Sequence, residues 1–450
     1  MRRLVNLQFT AIVLAVCFAT TVRAGSFTTV TVDTMRSVGY YSSLELDSQG
    51  NPHIAYMDNW NNKVKYAVWT GASWSIEIVD DTADAANRVS LALDASDNPH
   101  ISYVSPIPIR LRYATKSGGG WLTETVDNTS SSNGSHSSIA VDCNGDPHIA
   151  YSETNFFEFR YAVKTGGVWT IETPDDAEAW TGRFTSIAID AQCNPHISYQ
   201  DVTNKNLKYV VKSAGDWSAE VVEATGDVGF HTALALDSQG NPHISYFDDT
   251  NDRLRYATKV GTDWSLDTPD SYGVGQYTSL AIDSHDNPHI SYYDFTNLDL
   301  LHTVKVGTWW STTLVDTSGD VGRYTSLALD ADDKVHISYF DETNRHLKFT
   351  EGTVATGVDR RRVPAVVTLD VFPNPFNNKT SITYAMGRDG PVTVEIFDVL
   401  GRRVETLLSD RHKLSGRYQI DWTPRYSSGV YFIRILAGKH VQARKALVVK

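Results

Sequence analysis

Helical periodicity and positive charge are both scarce in this chain. No window is long enough and apolar enough at helical spacing to predict an α-helix, so β-structure is the expected regular element. The 450 residues carry a formal charge of −13; residues 1–24 contribute +3 and residues 365–450 contribute +6, which leaves −22 on residues 25–364. So acidic a region argues against nucleic acid or an anionic membrane surface as its partner.

Cysteine is also rare, with three residues that do not have metal-site spacing, and we expect no metal and no cofactor. Cys17 lies in residues 1–24, which combine a basic start, an apolar stretch over 8–20 and a small residue at Ala24; this pattern is typical of a signal peptide and predicts an exported protein with no transmembrane segment in the mature chain. A lipoprotein signal around Cys17 is the alternative, although Val16 is large for it. Cys143 and Cys193 lie in turns of neighbouring repeats, and a disulfide and two free thiols both stay open.

One short stretch, NPHISY or a close variant, occurs seven times. The spacings between its histidines are 47, 48, 48, 47, 46 and 47 residues. A unit copied at this period indicates a propeller or solenoid, because one copy cannot bury its apolar face alone. The seven histidines are His53, His100, His148, His196, His243, His289 and His336.

Each copy divides into four segments with period-two alternation, separated by Gly, Asn, Asp and Pro clusters, as expected for four strands of one propeller blade. The fourth segment begins with an aromatic residue that we expect in the core between blades, at Trp74, Trp121, Trp169, Trp217, Trp264 and Trp310. The seventh copy lacks this segment. Residues 27–34 match residues 310–317, so the N-terminal strand is predicted to complete the seventh blade and close the ring.

Residues 351–364 break the repeat and read as a linker. Beyond it, Phe372-Pro373-Asn374-Pro375-Phe376, residues 394–404, Ser428-Gly429-Val430-Tyr431-Phe432 and the ending Lys445-Ala446-Leu447-Val448-Val449-Lys450 resemble the C-terminal sorting domain of type IX secretion substrates. The resemblance implies an immunoglobulin-like β-sandwich over residues 365–450 that the outer-membrane secretion machinery recognises, with the protein reaching the outer cell surface or the medium via the periplasm. A related module occurs in flagellar hook-capping proteins, which keeps a structural role open.

The predicted fold is thus all-β: a signal peptide over 1–24, a seven-bladed β-propeller over 25–350, a linker, and a β-sandwich over 365–450. Each repeat histidine follows an aspartate by six residues. Catalysis needs one asymmetric constellation, so a sevenfold Asp–His pair favours a structural hydrogen bond over acid–base chemistry or metal binding. The Asp-rich turns between strands resemble calcium or sialidase-type loops only loosely, and local hydrogen bonds explain them more simply.

Specific function is expected where the copies differ. Six residues before each first-strand aspartate, a position predicted to ring one mouth of the channel holds Tyr41, Arg88, His136, Phe184, His231, Tyr277 and Tyr324. Loops on the same face are predicted to add Trp60, Phe156, Phe157, Trp180 and Phe295.

Aromatic and polar groups around a concave mouth suit a sugar ring or an extended peptide, whereas several of these rings would alternatively only plug the channel. The favoured hypothesis is a secreted or cell-surface protein that binds carbohydrate or another surface ligand and also contacts the secretion machinery. The competing hypotheses are a glycan hydrolase or lyase on the same scaffold, for which we find no unique carboxylate pair, nucleophile elbow or metal cluster, and a passive adhesion scaffold.

Overall fold

The computed structural model describes residues 26–81, 87–106, 109–127, 133–153, 158–175, 181–271, 273–307, 309–354, 368–372, 374–386, 390–413, 416–437 and 440–449. These residues are folded entirely as β-strands, turns and irregular segments. The predicted signal peptide and most of the predicted linker lie outside the described residues. The described part of the chain contains no helix with the length and apolarity that a membrane crossing requires.

The strands between residues 26 and 353 form, within the described part, seven four-stranded antiparallel sheets, which we number 1 to 7 in chain order. The N-terminal strand is β1 (Ser26–Asp33), and it belongs to sheet 7. Sheet 1 contains β2 (Val38–Leu46), β3 (Pro52–Asp58), β4 (Lys63–Trp69) and β5 (Trp74–Asp80). Sheet 2 contains β6 (Asn87–Leu93), β7 (Pro99–Pro106), β8 (Ile109–Ser117) and β9 (Gly120–Thr125). Sheet 3 contains β10 (Asn133–Val141), β11 (Pro147–Glu153), β12 (Phe159–Thr165) and β13 (Val168–Glu172).

The remaining four sheets have the same order. Sheet 4 contains β14 (Thr181–Ile189), β15 (Pro195–Asp201), β16 (Asn206–Ser213) and β17 (Asp216–Glu223). Sheet 5 contains β18 (Val228–Leu236), β19 (Pro242–Asp248), β20 (Arg253–Val260) and β21 (Asp263–Ser271). Sheet 6 contains β22 (Val274–Ile282), β23 (Pro288–Asp294), β24 (Asp299–Val306) and β25 (Trp309–Asp316). Sheet 7 contains β26 (Val321–Leu329), β27 (Val335–Asp341), β28 (His346–Thr353) and then β1.

The first strands of successive sheets contact one another in a closed cycle, with β26 of sheet 7 against β2 of sheet 1. A serine hydroxyl bridges these strands: the Leu91 amide donates to Ser43 at 3.0 Å, and at the closing seam the Leu44 amide donates to Ser326 at 3.0 Å. The second strands, which carry the repeated histidine, are buried along their whole length in sheets 1, 3, 4, 5, 6 and 7, because each is covered by a neighbouring sheet on both faces.

The predicted pairing of the N-terminal strand with the last repeat is confirmed. β1 pairs antiparallel with β28, with Val30 opposite Phe349. Across the seam to sheet 1, the Tyr56 hydroxyl donates to Asp33 at 2.8 Å. The two ends of this region are therefore joined by both backbone and side-chain bonds, and the arrangement is consistent with a propeller.

The tail, which we define as residues 368–449, has two sheets. One contains β29 (Thr368–Phe372), β30 (Thr380–Met386) and β33 (Gly416–Trp422), and the other contains β31 (Gly390–Asp398), β32 (Arg403–Lys413), β34 (Gly429–Ala437) and β35 (His440–Val448). Apolar residues of both sheets form one core that includes Ile382, Trp422 and Ile433.

The tail contacts sheet 6 through its outer edge. Strand β33 pairs in parallel with β25, with Thr312 opposite Tyr418. The tail also reaches β21 of sheet 5: the Lys413 ammonium donates to Asp270 at 3.0 Å, and both side chains are buried. The sequence did not predict this contact.

Candidate ligand-binding site

The seven residues predicted to ring the channel do come together at one end of the first strands. All seven have left-handed backbone conformations, with φ between 51° and 58°. The pairing register between first and second strands shifts at this place in each sheet. A β-bulge of this kind re-aims a side chain out of the sheet, and here it turns one residue per sheet toward the common axis.

Six of these side chains are rings in mutual contact. The centroid distances around the circle are 4.4 Å for Tyr41–Tyr324, 4.6 Å for Tyr324–Tyr277 and 4.5 Å for Tyr277–His231. They continue at 4.5 Å from His231 to Phe184 and at 4.6 Å from Phe184 to His136. Arg88 completes the circle, and its Cζ lies 5.5 Å from the Tyr41 centroid and 6.0 Å from the Phe184 centroid. We call these seven residues the mouth ring.

The mouth ring lines a cavity of about 210 Å³, together with the next residue of each first strand. No acidic residue is among the lining side chains of the described part of the chain. The next residues include Ser42, Thr185 and Thr278, whose hydroxyls donate to backbone carbonyls of the preceding sheet. These hydroxyls hold neighbouring sheets together, and the mouth ring is left to face the cavity.

The electrostatics of the cavity are unusual for so acidic a region. Burial, reinforced by Arg88 and then Arg183, lowers the pKa of His231 to about 3. Burial also lowers the pKa of His136 strongly, so both imidazoles are neutral at pH 7. Burial lowers the pKa of Arg88 itself. The cavity therefore presents an arginine and two neutral imidazoles among aromatic rings.

Two of the other predicted loop residues, Trp60 and Phe295, are not part of the cavity lining. Trp60 is 58% exposed, and the Arg36 guanidinium lies 4.3 Å above its ring. Phe295 contacts Phe247 edge-on at 5.9 Å between centroids. Trp180, Phe156 and Phe157 lie outside the described residues.

A second layer of residues at the mouth went unrecognised in the sequence. It consists of the residue directly before each mouth-ring position, and it includes Tyr40, Arg183 and Phe230. Tyr40 packs on Phe340 at 4.1 Å between centroids, and the Arg183 guanidinium lies 4.7 Å from the Phe184 centroid. The signal was available, because this position differs between copies as much as its neighbour does.

In all seven sheets the repeated histidine lies within 3.5 Å of the aspartate six residues before it. In sheets 1 to 5 its Nδ1 also contacts a tyrosine hydroxyl on the next strand, whereas His302 takes this place in sheet 6 and Phe349 in sheet 7. His243 shows the pattern: its Nε2 lies 3.4 Å from Asp237, and its Nδ1 lies 2.5 Å from the Tyr256 hydroxyl on the next strand. The same aspartate also accepts hydrogen bonds from backbone amides of its own turn. Asp237, for example, accepts one from the Asn241 amide at 2.8 Å. These contacts support the structural interpretation of the Asp–His pairs.

Five of the repeated tryptophans pack edge-on against a tyrosine of the preceding sheet, as Trp121 does on Tyr66 at 5.2 Å between centroids, and Trp74 packs on Phe349. Four of them also donate an indole hydrogen bond that sequence reasoning missed, at Trp121, Trp169, Trp217 and Trp310. Trp121 Nε1 donates to Glu77 at 3.0 Å, and Lys116 donates to the same carboxylate at 2.7 Å. The seam between sheets 7 and 1 lacks this pair of charges. Val30 occupies the position equivalent to Glu77, and Trp69 occupies the position equivalent to Lys116. Trp74 at this seam therefore borders an apolar groove.

The turns between first and second strands form the opposite face. A disulfide joins Cys143 and Cys193, whose Cα atoms are 5.9 Å apart. Corresponding turns elsewhere are joined by hydrogen bonds, as where Ser238 donates through its amide at 2.9 Å and its hydroxyl at 2.8 Å to Asp286. Neighbouring turns are staggered by two residues, which is why cysteines at different offsets from their aspartates meet.

Asp283, His285 and Asp333 lie on this turn face with ligand atoms close enough for an ion. His285 is mostly exposed, and Asp333 already accepts the Ser284 hydroxyl at 2.7 Å. Hydrogen bonds between the turns account for this cluster.

Residues 370–450 match the family model of the secretion system C-terminal sorting domain. A domain of this type marks proteins that are exported to the cell surface or secreted and that engage the type IX secretion machinery. The protein is therefore a secreted or cell-surface protein. A search among curated proteins finds no sequence relative of the chain.

Several solved structures resemble the fold. A fungal alcohol oxidase of the AA5 family, in complex with copper, has a TM-score of 0.52 at 11% identity, over 95% of this chain and 100% of that one. An ulvan lyase of polysaccharide lyase family PL25, bound to -[GlcA(1-4)Rha3S]-, has a TM-score of 0.50 at 13% identity, over 71% of this chain and 93% of that one. PorZ, a surface component of the type IX secretion system of Porphyromonas gingivalis, has a TM-score of 0.45 at 11% identity, over 91% of this chain and 59% of that one. At these identities the likeness concerns the fold alone.

Proposed function

We propose that residues 25–350 form a closed seven-bladed β-propeller whose mouth ring binds a carbohydrate at the cell surface or outside the cell. Residues 365–450 would be an immunoglobulin-like sorting domain, residues 351–364 a linker and residues 1–24 a cleaved signal peptide. The seven four-stranded sheets, their cyclic contacts and the pairing of β1 with β28 support the propeller.

The observation that carries the binding proposal is the mouth ring itself. Aromatic faces in contact around an open cavity offer stacking area to a sugar ring, and the imidazole and phenol edges offer hydrogen bonds that set its orientation. The framework residues repeat from sheet to sheet, whereas the mouth ring varies from Tyr to Arg, His and Phe. This variation is expected of a site that reads one asymmetric ligand.

Catalysis is the competing proposal, since one structural neighbour is a polysaccharide lyase. Hydrolysis by two carboxylates has no support in the cavity, because its described lining residues include no acid. The tyrosine and histidine side chains of the mouth ring can act as base and acid in an elimination, so turnover is measured together with binding. We favour binding because the ring of aromatic contacts supports it directly.

A glycan array probed with the purified full chain tests the proposal. We expect discrete binding that is lost in Tyr277→Ala and Tyr324→Ala and kept in Tyr277→Phe. Phe432→Ala is the matched control, because Phe432 is an exposed aromatic residue on the tail. Binding that survives both alanine variants would place any glycan elsewhere, turnover of a polysaccharide would favour the enzyme, and the absence of any glycan ligand would favour a passive scaffold.

A further inference from the structure

Arg88 is the one mouth-ring residue with a permanent charge. At the equivalent positions the other six sheets carry tyrosine, histidine or phenylalanine. A cation at this position is therefore a departure from the repeat and is not needed to build the ring. The guanidinium contacts the faces of Tyr41 and Phe184.

Several other arginines of the seven sheets pair with a carboxylate. The Arg255 guanidinium lies 2.8 Å from Glu223, and that of Arg253 lies 2.8 Å from Asp248. Among the described residues, Arg88 forms no ion pair and no side-chain hydrogen bond, and its guanidinium contacts the rings of Tyr41 and Phe184. The charge is left for something that enters the cavity.

Two neighbours share this condition. Arg183 also forms no ion pair within the described residues, and its Nε is buried without a hydrogen-bond partner. Both ring nitrogens of His136, which is 7% exposed, are buried without a partner. Arg88 and Arg183 are only partly buried, whereas the His136 nitrogens and the Arg183 Nε are fully buried. Burying polar atoms without partners is unfavourable, so the native fold tolerates here a cost that a bound anion and its hydroxyl groups would reduce.

The size of the cavity limits the ligand. About 210 Å³ is below the usual range of roughly 300–1,000 Å³ for drug-sized ligands, so the cavity can enclose one sugar unit while the rest of a sugar chain lies outside it. A planar guanidinium binds a carboxylate or sulfate through two parallel hydrogen bonds. The surrounding Tyr41, Tyr324 and Tyr277 rings offer stacking faces to the same unit.

We propose that the mouth ring takes one acidic sugar unit, a pyranose carrying a carboxylate or a sulfate group, with its anionic group on Arg88. This inference rests on the proposed carbohydrate binding and names the class of sugar. Arg183 would add a second positive charge at the rim, toward the next unit of the chain.

The test is calorimetric titration of the full chain with three matched oligosaccharide sets: uronic acid, sulfated and neutral. We expect acidic sugars to bind about tenfold or more tightly than neutral ones, and Arg88→Gln to abolish that preference, so that the affinity for acidic sugars falls about tenfold further than the affinity for neutral sugars. Comparison of the uronic and sulfated sets identifies the anionic group. Arg88→Lys should keep part of the preference, and Arg402→Gln on the tail is the control.

Thermal unfolding of the free protein adds a second readout. Replacing an arginine that pairs with a carboxylate would lower stability, whereas replacing a partly buried arginine without an ion pair should not, so the Tm of Arg88→Met should equal or exceed that of the parent. Equal affinity for acidic and neutral sugars, unchanged in Arg88→Gln, overturns the acidic specificity and leaves carbohydrate binding standing. If no sugar of any set binds, the proposed function fails and this inference fails with it.

Discussion

Asp33, the last residue of β1, gives a quantitative test of ring closure. Its carboxylate accepts the Tyr56 hydroxyl at 2.8 Å and the Lys65 ammonium at 3.1 Å. Asp33 is 6% exposed and Tyr56 is fully buried. Burial first, and then the charge of Asp33, raises the pKa of Tyr56, so the phenol stays protonated and acts as the donor.

Asp33→Ala leaves the Tyr56 hydroxyl buried without an acceptor, which costs about 1–3 kcal/mol. The substitution also removes the ion pair between Asp33 and Lys65, and breaking a buried ion pair costs about 3–5 kcal/mol. Lys65 still pairs with Asp58 at 3.0 Å, so only part of this cost is added. We therefore expect a loss of about 2–4 kcal/mol. At about 2.1 cal/mol/K per residue, the roughly 330 residues from Ser26 to Thr353 convert this to about 3–6 °C in Tm.

The matched control is Asp80→Ala, at the seam between sheets 1 and 2. Asp80 accepts the Tyr103 hydroxyl at 2.6 Å and lies 3.6 Å from the Arg112 guanidinium. If β1 is an ordinary fourth strand, the two variants should lose similar stability in calorimetry. If Asp33→Ala changes Tm by less than about 1 °C while Asp80→Ala loses several degrees, the closing seam is not formed in solution and the argument for a closed ring collapses.

Four further outcomes follow from the same contacts. Gly275→Ala should lower the free energy of unfolding in denaturant by about 3 kcal/mol or more, because φ is +106° and the new Cβ would lie 2.7 Å from the backbone of sheet 5. Gly240→Ala, where φ is +79° and the Cβ would meet open space, should lower it by about 1 kcal/mol. Equal losses in the two variants would contradict the close approach at Gly275. The disulfide between Cys143 and Cys193 spans a separation of 50 residues and contributes up to about 4 kcal/mol to the stability. The double variant Cys143→Ser, Cys193→Asp should be about 1 kcal/mol more stable than the double serine variant, because it copies the Ser–Asp links of other seams. Thermal melts that do not separate the two variants would contradict the view that the disulfide replaces such a link. Burial lowers the pKa of His231 to about 3, so the unfolded chain binds a proton near pH 6.5 that the folded chain excludes. Burial raises the pKa of Glu45 and of Asp299 to about 7, which acts in the opposite direction, so the measurement is the difference in Tm between the parent and His231→Phe. This difference should be constant above about pH 7 and should shift against the parent as the pH drops below about 6.5; a shift in the parent's favour would refute this. Removal of the tail should leave the protein in the periplasm of a host with type IX secretion, and its normal appearance in the medium by immunoblot would refute the sorting role.

The repeat predicted the strands well because every strand is specified seven times. Alternation, turn residues and period agree in each copy, so a local ambiguity in one sheet is resolved by the other six. The position of β1 was predictable for the same reason: Phe27 stands where Trp310 stands in sheet 6, and the segments that follow match. The mouth ring was located by register alone, since a bulge at one position must place seven equivalent residues at equivalent points.

Contacts between sheets were less predictable, because they depend on stagger that the linear spacing does not show. Cys143 and Cys193 stand at different offsets from their turn aspartates, which in the sequence argued against a bridge as much as for it. The Ser48–Asp97, Ser238–Asp286 and Ser284–Asp333 links show the same offset of one against three, so this pairing recurs at four of the seven seams. The serine and aspartate positions in neighbouring turns therefore carried the information that predicts which turn residues meet.

Departures from the repeat carry the most information about what this protein does beyond folding. Thr313 occupies the position at which other sheets carry the acidic residue that faces the repeated tryptophan, and it lies in β25, the strand that pairs with the tail. Val30 and Trp69 replace the acid and the lysine at the closing seam, and an apolar groove results. Arg88 replaces an aromatic or imidazole ring at the mouth, and it is left without an anion. A repeat constrained only by stability would keep the satisfied version at each place, so each exception indicates a contact with something outside the repeat, and at Arg88 the chemistry of that contact is the best defined.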